Sequence, residues 1–277
     1  MKKILVATDL SSNSKAGLRF AIQLASQHKV ELTFLHFYFL SKMPTETDEH
    51  FANYRKKEQK KILKSLNKFV EAAFEKMDVA AKNYTCVIEE SSVAETSIKE
   101  YAQSNKFDFI CISSTGAGVL KKIFGSVTSY LINHSSVPVI AVPAKYRASK
   151  IKTVLYSTDL KNMDEELKQV LGFTEPIKAK VELINFEFPS EILALKQKEK
   201  QLSDKLSKKR MNMHFKTFDL TDTLVSNIKR VVKRLKPSVL VMFTQQNRSF
   251  FDRIFLSSKS TEYAFESKVP LLVFNKG

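Results

Sequence analysis

The sequence KKILVATDL, residues 2–10, returns as KTVLYSTDL at residues 152–160, with five of the nine positions identical. Each copy later reaches a short apolar run that a Val-Pro pair introduces, VPVIAVP at residues 137–143 and VPLLVF at residues 269–274. A pattern that recurs at the start and at the end of two consecutive segments indicates two copies of one domain. The repeat therefore indicates that the chain consists of two similar domains in tandem.

The repeat predicts one domain at residues 1–146 and a second at residues 150–277, joined by a polar stretch. Each segment is long enough to bury a core of its own. Short continuous apolar runs such as residues 4–7, ILVA, are typical of strands that are buried on both faces of a parallel sheet. Because such runs alternate with segments of helical periodicity, we predict an α/β fold with two tandem, doubly wound, five-stranded parallel sheets.

The expected strands occupy equivalent places in the two copies. In the first copy they are residues 4–7, 30–38, 84–88, 107–113 and the run from 137; in the second they are residues 154–156, 181–186, 211–218, 239–243 and 269–274. The sequence Ser92-Val93-Ala94-Glu95 has the pattern of a capping box that opens a helix. A helix near residues 191–208 is expected in the second copy.

The chain is strongly basic, with 45 Lys and Arg against 29 Asp and Glu, a formal net charge of +16. The excess is spread evenly: residues 1–150 carry 22 against 14 and residues 151–277 carry 23 against 15, so that each half has a charge of +8. The densest runs, YRKKEQKKILKSLNK and LKQKEKQLSDKLSKKR, are amphipathic, and their simplest interpretation is a solvated helix face. We therefore expect weak, sequence-independent binding of nucleic acid and no specific complex.

The two cysteines, Cys86 and Cys111, fall within apolar runs and form neither a disulfide framework nor a metal-binding pattern. They suit buried thiols in a reducing cytoplasm. The N-terminus leads directly into a strand, which does not resemble a signal peptide, and no apolar run has the length that a membrane span requires. We therefore expect a cytoplasmic protein with no membrane partner.

Two features of the first copy point to the carboxyl end of its sheet, where open α/β sheets bind ligands. Asp9 ends the first strand and can accept a hydrogen bond from an adenine amine or a ribose hydroxyl, and Phe37 ends the second strand. Ser113 ends the fourth strand and leads into a loop that contains Gly116, Gly118, Gly125 and Ser126. Glycines let backbone N–H groups approach a phosphate closely, and Gly125-Ser126 precedes a helix whose N-terminus adds a positive dipole.

Structural explanations compete with each of these assignments. Gly116 and Gly118 can form a plain turn, Ser126 can be a helix cap, and Asp9 can cap the first helix. His36, His134 and His214 lie in different segments without the spacing of metal ligands, so structural roles are the simplest interpretation for them.

The order strand, Asp, helix, and then glycine loop, Gly-Ser, helix and Val-Pro strand resembles the universal stress protein family in its tandem form. The resemblance implies an adenine nucleotide alpha-hydrolase-like fold and the ATP signature Gly-x2-Gly-x9-Gly-Ser/Thr. The chain matches the end of this signature at Gly125-Ser126, and Gly116 aligns with its second glycine if one residue is deleted before Gly125. The first glycine is absent, and Ser257-Ser258 replaces Gly-Ser in the second copy.

The second copy also differs in the loop that precedes its last helix. Here Phe250, Phe251 and Phe255 are expected to fill the cleft, while Arg248 and Arg253 can still hold an anion. We therefore expect at most one ATP per chain, in the first domain, in a non-catalytic protein of stress adaptation, as the resemblance implies. Two alternatives remain open: a protein-interaction scaffold that needs no nucleotide, and a slow ATPase, for which the sequence offers no obvious general base.

The terminal strands of the two copies generate the first prediction. An exposed apolar edge strand invites aggregation, and in the family this strand pairs with its counterpart in a second subunit. We expect residues 139–142 to pair antiparallel with residues 271–274, which gives an internal pseudo-dimer; whether two chains associate further is open. Cross-strand amide contacts between the two segments in NMR spectra would check this pairing, and two strands that lie apart would contradict it.

Overall fold

The computed structural model describes residues 1–45, 47–114, 125–158, 160, 162–187, 211–217, 224–244 and 268–275. The described residues divide into two compact units, one within Met1–Ala148 and one within Ser149–Gly277. Each unit contains five strands that pair in parallel with their neighbours inside the unit, and helices connect consecutive strands where the structure describes the connection.

The first unit contains five strands and four helices. Its strands are β1 (Lys2–Ala7), β2 (Val30–Tyr38), β3 (Tyr84–Glu90), β4 (Phe109–Ser113) and β5 (Val139–Val142). Its helices are α1 (Lys15–Gln27), α2 (Asp48–Lys76), α3 (Ala94–Ser104) and α4 (Ser126–His134). The strand order is β3-β2-β1-β4-β5, and every neighbouring pair is parallel.

The second unit repeats this arrangement. Its strands are β6 (Thr153–Ser157), β7 (Lys180–Glu187), β8 (Met211–Thr217), β9 (Val239–Thr244) and β10 (Leu271–Asn275), and its described helices are α5 (Met163–Thr174) and α6 (Leu224–Leu235). The strand order β8-β7-β6-β9-β10 is that of the first unit, again with parallel neighbours. The predicted duplication of a five-stranded parallel sheet is confirmed. The helix expected near residues 191–208 lies outside the described residues.

The central strands of each sheet form the core, because helices cover them and their side chains are apolar on both faces. Residues 4–7 of β1 are all buried, as are all five residues of β4 and the middle three of β6. Helix α1 contributes the opposite side of this core through Leu18, Phe20 and Ile22, each of which has no exposed surface. The continuous apolar runs in the sequence therefore correspond to strands that are buried on both faces.

The repeated Thr-Asp-Leu sequence ends the first strand of each unit in the same way. The backbone N–H of Leu10 donates to Oγ1 of Thr8 at 3.1 Å, and the N–H of Leu160 donates to Oγ1 of Thr158 at 3.0 Å. Both leucines adopt the left-handed conformation, with φ of 60° and 65°. This conformation costs a residue other than glycine roughly 1–3 kcal/mol, so its presence in both units indicates that the threonine contact and its surroundings enforce it.

The start of α3 differs from the sequence prediction. The helix begins at Ala94 after an N-cap at Val93, and no side chain caps it, so the capping box at Ser92 is wrong. The hydroxyl of Ser91 instead accepts the N–H of Val93 at 3.0 Å and lies 2.7 Å from the hydroxyl of Ser97. A serine one residue earlier therefore satisfies the polar groups of this turn.

The two cysteines differ in burial: Cys111 is buried as the sequence predicts, whereas Cys86 is only partly buried. Cys111 is fully buried in β4, and its thiol donates to the carbonyl of Gly17 at 3.4 Å. Burial raises the pKa of both thiols, that of Cys86 to about 11. Both side chains are therefore neutral near pH 7 and do not supply a thiolate nucleophile.

Two helical glycines generate a prediction about the packing of α1. A Cβ at Gly17 would lie 3.2 Å from the backbone nitrogen of Ser113, whereas a Cβ at Gly172 in α5 would have no neighbour within 4 Å. Because alanine favours a helix over glycine by about 1 kcal/mol, Gly172→Ala should stabilise the protein by about 0.5–1 kcal/mol.

Gly17→Ala should gain the same helix preference but lose more free energy of unfolding, because the new methyl group forces α1 away from β4. We expect a net destabilisation of about 1–2 kcal/mol. Urea denaturation of the two variants measures the difference, with Gly172→Ala as the matched control. Equal stabilisation by both substitutions would contradict the close approach of α1 to β4.

Candidate functional site

The strand order places a crevice at the carboxyl end of the first sheet. From β1 the chain moves in one direction to β2 and β3, and then crosses to β4 and β5 on the other side. The ends of β1 and β4 are therefore neighbours whose following segments diverge. Such a switch point in the strand order is where open parallel sheets form their ligand clefts.

A cavity of about 260 Å³ lies at this point. Its size approaches the roughly 300 Å³ at which small-molecule sites begin. Five of the seven residues that the sequence singled out line it, and these are Asp9, Phe37, Ser113, Gly125 and Ser126. The other two, Gly116 and Gly118, lie outside the described residues.

Part of the cavity lining is apolar. Leu35 and Phe37 from β2, together with Ala94 and Ile98 from α3, contribute to this part. The sequence analysis did not include the two α3 residues in the site. They reach it because β3 lies beside β2 and α3 then returns across the ends of the strands, which only the strand order reveals.

Another part of the lining is a network of small hydroxyl side chains. Oγ1 of Thr8 and Oγ of Ser14 are 2.8 Å apart, and Ser14 donates to the carbonyl of Ser11 at 2.8 Å. The hydroxyl of Ser113 accepts the N–H of Gly17 at 2.9 Å and donates to the carbonyl of Ser14 at 3.0 Å. Ser113 thus lines the cavity, but its proton is committed to holding α1, which identifies Ser113 as part of the frame of the site.

The first turn of α4 forms the end of the cavity and differs from a capped helix. Gly125 is the N-cap residue, and no side chain caps the helix. The N–H of Gly125 donates to the carbonyl of Ser114 at 2.6 Å, whereas Ser126 is exposed and borders the cavity. Because the first N–H groups of a helix have no partner within it, this end offers backbone donors and a positive dipole to an anion.

The position of α4 is fixed by Thr128, which is buried. Its hydroxyl donates to the carbonyl of Ser113 at 3.1 Å. Ser113 is therefore bonded to α1 through its side chain and to α4 through its backbone. The sequence analysis did not identify Thr128, since a threonine two residues after Ser126 has no pattern of its own.

Asp9 is exposed at the mouth of the cavity. Its Oδ1 accepts the N–H of Ser11 at 2.9 Å, whereas the N-cap position of α1 is Ser14. The alternative that Asp9 caps the first helix is therefore wrong. The carboxylate instead stabilises the turn after β1 and remains exposed to solvent beside the cavity.

The equivalent position of the second unit has different side chains. Thr158 corresponds to Thr8, and its hydroxyl donates to Oε2 of the buried Glu166 at 3.4 Å. The hydroxyl of the fully buried Tyr156 donates to the same oxygen. The side chain of Asn185 donates to the carbonyl of Thr158 at 3.1 Å. Asp159 and the loop that carries Phe250, Phe251 and Phe255 lie outside the described residues.

Each of the three histidines that the sequence analysis considered has a polar partner. Nδ1 of His36 donates to the carbonyl of Thr8 at 2.9 Å, and Nδ1 of His134 donates to the carbonyl of Tyr130 at 2.9 Å. Nε2 of His214 lies 2.7 Å from a carboxylate oxygen of Glu182. Within the part of the chain that the structure describes, no group of three or more His, Cys, Asp or Glu side chains is arranged to hold a metal ion.

Among the described helices there is none with the length and hydropathy that a membrane crossing requires. No curated protein sequence matches the chain at a significant level. Among solved structures, the chain is similar to a universal stress protein from Archaeoglobus fulgidus DSM 4304, with a TM-score of 0.68 and 19% identity over 99% of this chain and 98% of that one. It is also similar to a protein of unknown function from Pseudomonas aeruginosa PAO1, with a TM-score of 0.61 and 13% identity over 99% and 92% of the two chains.

At these identities the two structures support the fold alone, and membership rests on the sequence family. The model of the universal stress protein family matches residues 1–143, which is more than half of the chain. The repeated strand order extends the same architecture over the second unit. The chain therefore belongs to the universal stress protein family, as a tandem member.

Proposed function

We propose that the protein is a non-catalytic, nucleotide-responsive binding module of stress adaptation that holds one adenine nucleotide, ATP, in its first unit. The observation that carries this proposal is the start of α4. An uncapped helix N-terminus with the exposed Ser126 borders the same cavity as Phe37 and Asp9. The cavity thus combines an anion-binding end, an apolar wall and a carboxylate at its mouth.

The apolar wall suits the adenine base. Leu35, Phe37 and Ile98 supply the flat or branched apolar surface against which a base can be buried. Oδ1 of Asp9 accepts the N–H of Ser11, and a carboxylate can accept several hydrogen bonds at once, including one from a ribose hydroxyl or the adenine amine. The base is therefore expected between the ends of β1 and β2.

The phosphates are expected at the start of α4. The backbone N–H groups at the beginning of the helix and the hydroxyl of Ser126 can donate to phosphate oxygens, and the helix dipole favours their negative charge. The N–H of Gly125 is excluded from this set because it is bonded to Ser114. Gly125 is accordingly expected to help phosphate binding through its small size, because it is buried where a larger side chain would fill the cavity.

The second unit is expected to leave a nucleotide unbound. Glu166 is 3% exposed and contacts Thr158, the counterpart of a residue that lines the cavity of the first unit. The first unit has the Thr8–Ser14 contact at this point, so in the second unit a buried carboxylate replaces part of the hydroxyl network that lines the cavity. This physical reason is independent of the aromatic side chains of the later loop.

The composition of the cavity favours binding over hydrolysis. Asp9 is the only carboxylate among its described lining residues, and the rest are apolar, glycine or hydroxyl side chains. Asp9 points one oxygen at the N–H of Ser11, and the base-binding role assigns it to the opposite end from the phosphates. A slow ATPase remains the less favoured alternative, and release of inorganic phosphate from ATP distinguishes it.

Ser126 provides a direct test of the phosphate end. Replacing Ser126 by alanine removes one hydrogen bond to a charged group and should weaken ATP binding roughly 10-fold, an effect of about 1.5 kcal/mol. Ser129→Ala is the matched control, because Ser129 lies one turn later in α4 and does not line the cavity. Isothermal titration calorimetry measures both; equal weakening, or none from Ser126→Ala, would argue against a phosphate at this helix end.

The stoichiometry and Gly125 test the assignment of the site to one unit. Calorimetry should give at most one ATP per chain, and Gly125→Val should abolish binding while Ser258→Ala leaves it unchanged. Gly125 has φ of −62° and ψ of 165°, which valine can adopt, so the loss would come from the volume of the side chain at the cavity. Two sites per chain, or a site that survives Gly125→Val, would refute the proposal, and no site at all would favour the nucleotide-independent scaffold.

A further inference from the structure

Helix α2 extends far beyond the core that it covers. Its buried residues are Leu66, Val70, Ala73 and Phe74, all in the second half of a 29-residue helix. None of the residues 48–65 is buried. Because helices in water owe most of their stability to packing, five turns without a buried side chain require another source of order.

Polar contacts supply that order along the inner side of this segment. Arg55 forms an ion pair with Glu90 of β3, and the side-chain amide of Gln59 donates to the hydroxyl of Tyr38 at 2.7 Å. The hydroxyl of Thr47 caps the helix by accepting the N–H of His50 at 3.2 Å. These contacts hold the first half of α2 against the ends of β2 and β3 and direct its other side to solvent.

The outer side carries a row of lysines, which we call the lysine stripe. Its members recur at positions i, i+3, i+4, i+7 and i+11, so that they share one face of the helix over about 16 Å, and they are Lys57, Lys60, Lys61, Lys64 and Lys68. All five are exposed. Lys61 has an ion pair with Glu58 at 3.5 Å, and within the described part of the chain no ion pair is formed by the other four.

We infer that the lysine stripe binds the phosphate backbone of duplex nucleic acid without reading its sequence. A duplex presents one negative charge per roughly 1.7 Å of its axis, which a dense row of cations can match. Sequence recognition needs side chains that pair with base edges, and lysines on one flat face supply only charge. The interaction is separate from the nucleotide cavity and does not depend on it.

The composition of the helix favours a duplex over an anionic lipid surface and over single-stranded nucleic acid. An interfacial helix inserts its apolar face into lipid, but Leu66, Val70 and Phe74 are buried in this protein. Single-stranded nucleic acid is bound through several aromatic side chains that stack on successive bases. The aromatic side chain next to the stripe is Tyr54, which lies one turn before Lys57 and packs against the ring of Phe51. A regular array of exposed phosphates remains the surface that this face fits.

The salt dependence of binding tests the inference quantitatively. If all five lysines neutralise phosphates, the affinity for a 20-base-pair duplex of arbitrary sequence should fall roughly 500-fold between 50 and 200 mM salt. Replacing Lys57, Lys60, Lys64 and Lys68 by glutamine should reduce this dependence to roughly fourfold. Fluorescence anisotropy of a labelled duplex measures both proteins, and circular dichroism verifies that α2 remains helical.

The control variant removes the same charge elsewhere. Lys29, Lys82, Lys152 and Lys180 are exposed and lie outside α2, so their replacement by glutamine also lowers the net charge from +16 to +12. This control should keep most of the salt dependence of the natural protein. Equal losses in the two variants, or binding to vesicles of anionic phospholipid with none to the duplex, would overturn the inference, as would a duplex affinity that the stripe variant retains.

Discussion

The cavity depends on the two hydrogen bonds of one hydroxyl group. Ser113 at the end of β4 accepts the N–H of Gly17 and donates to the carbonyl of Ser14, so that the first turn of α1 is held against the strand. The absence of a side chain at Gly17 permits this approach. The carbonyl of the same serine accepts the hydroxyl of Thr128, which holds α4. Two walls of the cavity are therefore positioned relative to one buried residue.

This arrangement explains how the second unit can keep the fold of the first unit and lose the contacts that form its cavity. Counted from the repeated Thr-Asp-Leu sequence, Glu166 and Leu167 of α5 stand where α1 has Ala16 and Gly17. A leucine at the second position removes the small contact on which the joint in the first unit depends. The change does not alter the strand order of the sheet, because this order depends on the buried apolar strands that both units share.

The sequence predicted the strands well because their signal is local and continuous. Strand β2 was predicted at residues 30–38 and occupies those residues, whereas β4 begins two residues later than predicted. The contributions of Ile98 and Thr128 were not predictable, since each reaches the cavity through the strand order and not through its neighbours in the chain. The capping box failed for a related reason: serines occupy 91 and 92, and only the backbone geometry selects Ser91.

The net charge can be counted from the sequence, whereas the grouping of the charges depends on the fold. The two halves of the chain each carry +8, which describes the long-range field but not where an anion binds. Salt screens exposed charges over about 8–10 Å, so cations act together only when the fold brings them within that distance. Neighbouring lysines of the stripe meet this condition because polar contacts of Arg55 and Gln59 keep the first half of α2 helical. A short helix in the same place would disperse the same charge and would lose the surface on which a regular polyanion can be bound.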